Sequence, residues 1–233
     1  MDEKLLINGN IPKSYFRLTI PNVLSMVITL VYNLADTYFI AAVGNTDLVA
    51  GVSLCAPVLT IQMAFGNVFA QGGCSLTSRL LGAAKKDDVK HVSAHCIYAG
   101  YLLGLILGVF FLLAGNILLP LLGADRDTVG FAAEYFYWIA AGSPFIVASY
   151  VYTNLFRSEG MSKEAMFGSS IGAVLNIILD PIFISGLGMG ARGAAIATVI
   201  GYIASDIYCT VVLLKKSQVL SMNLRCFRIS GEY

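Results

Sequence analysis

Two aspartates lie inside long apolar segments of the sequence. Asp36 is the only side chain in residues 21–43 that is charged at neutral pH, and Asp180 lies in a later segment, residues 164–186. A carboxylate in hydrocarbon costs about 2.5–3.5 kcal/mol on insertion scales, so it normally faces a polar interior and has a specific role. Asn176 precedes Asp180 by one helical turn, which predicts that both side chains share one face of a helix.

The chemistry available to such groups is proton exchange or cation binding. Desolvation and a second nearby carboxylate make one carboxyl of a pair hold its proton more strongly, so the two groups titrate as a pair. With both carboxyls ionised, the cluster would instead offer oxygen ligands to Na⁺, because hard cations prefer oxygen. The candidate residues for either ion are Asp36, Asn176, Asp180 and Thr198. The sequence therefore allows H⁺ or Na⁺ and predicts no organic cofactor.

The composition is typical of a polytopic membrane protein. Of the 233 residues, 57% are hydrophobic and 12% are charged, whereas soluble domains average about 45–50% and about 25%. The sequence predicts an all-α fold, a bundle of six transmembrane helices. The predicted spans are residues 21–43, 49–81, 91–119, 129–156, 164–186 and 194–214. The predicted domain organisation is a cytoplasmic lead (1–14), the six-span bundle (15–214) and a basic cytoplasmic tail (215–233).

The distribution of basic residues predicts the orientation of the bundle. Thirteen of the 15 lysines and arginines fall on one side of a six-span threading, and only Arg126 and Arg192 fall on the other. By the positive-inside rule, both termini are expected in the cytoplasm. Asp36 then lies about 10 Å from the outer end of its span, at about 1.5 Å per residue. The candidate ion residues fall at similar depth, which predicts one polar pocket in the outer half of the bundle, with Asp206 outside it on the cytoplasmic side.

Other patterns predict packing rather than chemistry. The small-residue ladder Gly100, Gly104 and Gly108 favours close approach of another helix. Residues 188–193 match GxGxxG, but they form a turn between membrane spans and not the strand-to-helix turn that a dinucleotide site requires. His91 and His95 have a spacing that can bind metal, yet no third ligand is evident and a solvated helix face is expected. The dispersed basic residues and the net charge of +1 do not indicate nucleic-acid binding.

Four short stretches together resemble the multidrug and toxic compound extrusion (MATE) family. They are Pro21, Tyr32 and Asp36 in the first span, Arg157-Ser-Glu-Gly ending the fourth, Asn176-Ile-Ile-Leu-Asp180-Pro181 in the fifth, and Gly190-Ala-Arg-Gly-Ala-Ala-Ile-Ala-Thr198 entering the sixth. The resemblance covers the chain from about residue 11 to the basic tail. It implies the amino-terminal six-helix lobe of an antiporter that exports organic, often cationic, compounds in exchange for H⁺ or Na⁺.

The resemblance also implies roles, partners and a location. It implies that the lobe's ion site consists of the four candidate residues, with Tyr32 close to it and Pro21 linked to bending of the first helix. Pro181, next to Asp180, is a further possible near-site residue. Family members have two six-helix lobes, so we expect a carboxy-terminal lobe or a second half-transporter chain as partner, besides small organic substrates and membrane lipids. The implied location is the plasma membrane, which is the inner membrane of a Gram-negative cell.

Three other functions remain open at this point. One half of a lipid-linked oligosaccharide flippase would use basic residues in a central cavity, and only Arg157 comes near one. A membrane-embedded enzyme would need a catalytic constellation, and the sequence shows none. A non-transporting membrane scaffold would need no ion site at all.

Overall fold

The computed structural model describes residues 11–217 and 219–222 of the chain. Most of the predicted cytoplasmic lead and much of the predicted basic tail therefore lie outside the described residues. The domain boundaries at residues 14 and 215 stay predictions.

The described part of the chain is helical and contains no strand. Its elements are α1 (Ile11–Ala42), α2 (Thr46–Leu54), α3 (Ala56–Gly82), α4 (Lys86–Leu121), α5 (Val129–Ser158), α6 (Ser162–Asp180), a π-helical segment (Pro181–Gly186) and α7 (Gly190–Lys216). Six stretches of it are long and apolar enough to cross a membrane: Thr19–Ala42 of α1, α2 with α3, α4, α5, α6 with the π-helical segment, and α7. The predicted all-α, six-span bundle is confirmed.

Two spans depart from regular helix at prolines. The second span is broken at Cys55, and Pro57 occupies the first turn of α3, where its missing N–H would have had no helical partner. The second span is therefore interrupted beside this proline. In the fifth span, Pro181 directly follows Asp180 and begins the π-helical segment. Such segments are short and occur often at functional sites.

The loops divide into two groups, one at each end of the bundle. The end that carries residues 43–45, 122–128 and 187–189 is called here the outer end, after the predicted orientation. The end that carries residues 83–85 and 159–161 is called the inner end.

Side-chain caps fix the chain at the outer end. Asn45 Oδ1 accepts from the backbone N–H of Asp47 (2.9 Å) and Leu48 (3.2 Å), as expected of an N-cap. Asp125 Oδ1 accepts from the Thr128 N–H (2.9 Å) and hydroxyl (2.7 Å) just before α5. These hydrogen bonds from Thr128 hold the pKa of the Asp125 carboxyl below its ordinary value.

Helix α5 is the centre of the bundle. In its most apolar window 72% of the residues are buried, whereas in α1 only 11% are. α5 packs against α3, α4 and α7, and α1 lies at the edge, mainly against α6. α1 exposes an apolar stripe at four-residue spacing, which is Met26, Leu30, Leu34 and Tyr38. Such a surface is one that lipid or other helices would cover.

The glycine ladder of α4 lies against α5, as the sequence predicts. A Cβ at Gly104 would lie 2.6 Å from Pro144 Cα and 2.7 Å from the Ser143 carbonyl oxygen. Gly100 and Gly108 also face α5 closely. Only glycine permits this backbone approach, so the ladder sets the distance between the third and fourth spans.

Replacement of Gly104 by alanine should therefore destabilise the bundle. The added methyl group meets backbone atoms that cannot rotate away, and such overpacking costs about 1–3 kcal/mol in the free energy of unfolding. Gly72→Ala is the matched control, because a Cβ at Gly72 would meet nothing within 4 Å. Thermal unfolding of the purified protein in detergent compares them. Equal midpoints for the two variants would show that the ladder does not set the packing.

Candidate functional site

The candidate ion residues come together from three helices. α1 supplies Asp36, α6 ends on Asp180 and carries Asn176 one turn earlier, and α7 supplies Thr198 two turns after its start. Asn176, Asp180 and Thr198 are nearly fully buried, and Asp180 has no exposed surface. The four side chains lie towards the outer end of the bundle, where the fifth and sixth spans are joined. We call these four side chains the carboxyl cluster.

Asn176 links the other members of the carboxyl cluster. In the amide orientation that gives both ends complementary partners, its Nδ2 donates to Asp180 Oδ2 at 2.8 Å. Its Oδ1 accepts from the Thr198 backbone N–H at 3.1 Å and from the Thr198 hydroxyl at 3.2 Å. The amide thus turns its donor towards Asp180 and its oxygen towards α7.

The carboxyl groups of Asp36 and Asp180 face each other within hydrogen-bonding range. Asp36 Oδ1 is buried, and no N–H or O–H group of the described residues donates to it. Two ionised carboxylates in this position would repel each other, whereas a proton on one of them converts the contact into a hydrogen bond. The geometry is therefore suited to holding a proton between the two groups.

Tyrosines surround the carboxyl cluster. Tyr32 lies one turn before Asp36 on α1, and its hydroxyl lies near the Thr198 side chain. Tyr135 of α5 is buried within electrostatic range of Asp36. The hydroxyls of Tyr150 and Tyr202 lie near each other, between α5 and α7.

A cavity of about 630 Å³ lies beside the carboxyl cluster. Tyr32, Asn176 and Thr198 line it, and the two aspartates lie behind them. Its other polar lining residues include Asn67, Gln71, Thr153, Asn154 and Arg157. A change of charge at the carboxyl cluster can therefore reach the contents of the cavity through side chains that touch both.

A family model described as MatE matches residues 21–182 of the chain. The chain belongs to the MatE family. It is also 31% identical over 233 residues to the multidrug export protein MepA of Staphylococcus saprophyticus, covering 99% of this chain and 52% of that protein. The resemblance seen in the sequence is thus confirmed.

Solved MATE structures have the same fold over the whole chain. A MATE transporter in the bent conformation gives a TM-score of 0.90 at 31% identity, covering 100% of this chain and 52% of the other. A MOP superfamily transporter from Pyrococcus furiosus, described as having a binding pocket of reverse polarity that suggests a different function, gives 0.89 at 32%, with 100% and 51% covered. The chain spans about half the length of the relatives it matches. Those relatives are transporters and not enzymes.

Two residues singled out from the sequence lie apart from the carboxyl cluster of this MatE chain. Pro21 is inside α1, about 22 Å along the helix from Asp36 at about 1.5 Å per residue, so the structure does not place it near the site. Asp206 is buried two turns beyond Thr198 on α7, and its Oδ2 accepts from the Tyr101 hydroxyl at 3.2 Å. Pro181, by contrast, adjoins Asp180.

In the part of the chain that the structure describes, no three His, Cys, Asp or Glu side chains form a group that could hold a metal ion. The pair noted in the sequence, His91 and His95, therefore belongs to no such group. The described cysteines are free, and three of the four are buried.

The MatE chain contains polar contacts that the sequence did not predict. Gln62 is fully buried in α3 and donates to the Ser143 hydroxyl at 2.8 Å, next to Pro144 in α5. The position of Tyr135 beside the carboxyl cluster was also missed. The signal that was available for Gln62 is its single amide within the otherwise apolar residues 61–65.

Proposed function

We propose that this chain is one lobe of a MATE exporter that expels organic compounds in exchange for H⁺. The observation that carries the proposal is the contact between the Asp36 and Asp180 carboxyl groups inside the bundle. Paired intramembrane carboxylates are expensive and mark proton relays and ion pathways in transporters. Export of organic compounds follows the relatives, which are named multidrug export proteins.

The contact between the two carboxyls supports H⁺ over Na⁺, and the orientation assigned to Asn176 agrees with it. A sodium site would need several oxygen ligands directed at one point. In the orientation that gives both ends of the Asn176 amide complementary partners, its oxygen is engaged with Thr198 and its nitrogen meets Asp180. The pair is thus flanked by a hydrogen-bond donor, which suits carboxyls that gain and lose a proton.

Coupling follows from the shared wall between the carboxyl cluster and the cavity. Tyr32 and Thr198 both line the cavity, and their side chains lie near each other beside the aspartates. Proton binding changes the charge and hydrogen bonding at this wall, and so changes the affinity of the cavity for its contents. By linkage, the substrate must change the affinity for the proton by the same factor, and this reciprocity is what antiport requires.

The remaining parts of the proposal concern location and assembly. The basic residues favour both termini in the cytoplasm, and the multidrug export relatives favour the plasma membrane. A second lobe completes the transporter, because the relatives are about twice as long as this chain. Family membership does not favour the flippase or scaffold alternatives.

The test is efflux of ethidium, a fluorescent organic cation, from proteoliposomes that contain the product of the complete gene. An imposed pH gradient should accelerate ethidium transport severalfold, because proton movement down its gradient drives the exchange. An equal Na⁺ gradient should not. Acceleration by the Na⁺ gradient alone would show that Na⁺ and not H⁺ is the coupling ion. No response to either gradient would show that the lobe is not part of an ion-coupled exporter.

A further inference from the structure

One arginine occupies an unusual position in the cavity wall. Arg157 lies in the last turn of α5, at the inner end of the bundle, and lines the cavity. Its side chain is half-buried, and its Nε is buried with no acceptor among the described residues. An unpaired buried donor on a charged group is costly, so a partner is expected.

No acidic side chain within the described ranges pairs with Arg157. The salt bridges found there join Lys90 to Asp87 and Lys216 to Glu164. Arg79, also at the inner end, is exposed, as expected of an arginine that serves only to orient the chain. Arg157 differs from Arg79 because its side chain lines the cavity.

The rest of the lining fits an amphipathic molecule with a negative head. Among the described lining residues, Arg157 is the only one with a lysine, arginine, aspartate or glutamate side chain. Neutral polar groups, including Asn67, Gln71 and Asn154, line the same cavity. The apolar side chains of Met26, Leu30 and Met63 also line it. A guanidinium among neutral hydrogen-bonding groups recognises carboxylate, sulfonate or phosphate, and low polarity strengthens the contact.

We propose that the cavity binds an anionic group carried on an apolar body, with Arg157 as the residue that holds the anion. The proposal rests on the proposed function only in taking the cavity as the substrate site. It extends the substrate class from organic cations to anionic amphiphiles. The anion comes either from a soluble compound or from a phospholipid head group, since both offer the same chemistry.

The test uses two fluorescent probes that share one aromatic frame. 8-Anilinonaphthalene-1-sulfonate carries a sulfonate, and N-phenyl-1-naphthylamine lacks it. Binding is measured to the full chain in phosphatidylcholine nanodiscs, with empty nanodiscs subtracted. Arg157→Gln should weaken binding of the sulfonate probe by about 10-fold or more, the usual effect of losing a charge-assisted hydrogen bond. Its affinity for the neutral probe should not change.

Two further variants separate charge from general disturbance. Arg157→Lys should retain part of the sulfonate affinity, because it keeps the charge but loses the forked donors. Arg79→Gln removes an exposed arginine from the same end and should bind both probes as the wild type does. Equal losses for both probes in Arg157→Gln, or no loss for either, would overturn the proposal. If Arg157→Gln does not fold, equal affinity of the wild type for the two probes would also overturn it.

A final binding measurement identifies whether the anion comes from lipid or from a soluble compound. Adding phosphatidylglycerol to the nanodiscs should reduce sulfonate binding in the wild type but not in Arg157→Gln if lipid head groups occupy the site. No effect of this lipid in either protein assigns the site to soluble anions. Binding requires no ion gradient, so failure here leaves proton-driven efflux intact, and failure of efflux leaves probe binding intact.

Discussion

Asp36→Asn should abolish proton-driven efflux while leaving the amount of protein in the membrane near that of the wild type. Asparagine keeps the size and hydrogen-bonding capacity of aspartate but has no proton to exchange. Because Asp36 and Asp180 face each other in a buried pocket, loss of one titratable group removes the shared proton. The expected result is that a pH gradient no longer accelerates ethidium transport in proteoliposomes.

Asp47→Asn is the matched control for this prediction. Asp47 is an exposed carboxylate in the first turn of α2, at the same outer end, and it does not line the cavity. Its variant should transport at the wild-type rate. If Asp36→Asn also transports at that rate, the Asp36 carboxyl has a structural role and the proposed coupling is wrong.

The number and order of the spans could be predicted from the sequence because apolar length is a strong signal in membranes. The first span was predicted to start at residue 21, and the membrane span found within α1 is Thr19–Ala42. Helix α1 also includes residues 11–18, and charged residues such as Lys13 and Arg17 are tolerated where a helix extends beyond the hydrocarbon. The π-helical segment at Pro181 also had no sequence signature beyond the proline itself.

The approach of the candidate ion residues to one another could be predicted from depth and helical spacing. Asn176 and Asp180 are separated by one turn, and the topology places Asp36 and Thr198 at the same level. A carboxylate that faced lipid would carry a large free-energy cost, so both carboxylates were expected to face the interior of the bundle. The role of these residues in ion coupling stays a prediction, because geometry alone does not show transport.

The remaining neighbours of the site depend on rotations that the sequence does not contain. The sequence could not tell which side of α5 Tyr135 faces, because most of that helix is buried, with 72% of its most apolar window inside the bundle. Its contact with the carboxyl cluster follows from how α5 packs between its neighbours. The same holds for Gln62, whose partner Ser143 is 81 residues away in the chain. Arg157 was noted near a cavity from the sequence. Only the three-dimensional structure shows that no acidic side chain of the described residues pairs with it.

The second large effect concerns how the two carboxyls titrate. In the wild-type chain, Asp36 and Asp180 should lose their protons in two separated steps that belong to the pair, because ionisation of one group opposes ionisation of the other. Asp36→Asn or Asp180→Asn should each convert this into a single simple step. The double variant should lose both steps. Infrared absorption of buried protonated carboxyls, followed across pH in the purified chain, measures these steps directly.

The carboxyl of Asp206 would interfere with this infrared measurement. It is a third buried carboxyl, bonded to Tyr101 and apart from the cluster, and it would add its own band. All variants are therefore compared in the Asp206→Asn chain, which removes that band without touching the Asp36–Asp180 contact. If the Asp180 band titrates at the same pH with and without the Asp36 carboxyl, the two groups do not share a proton. If the two carboxyls share a proton, the effects of the two single substitutions on the titration should not add up to the effect of the double substitution. The reason is that removal of either carboxyl already removes the pair.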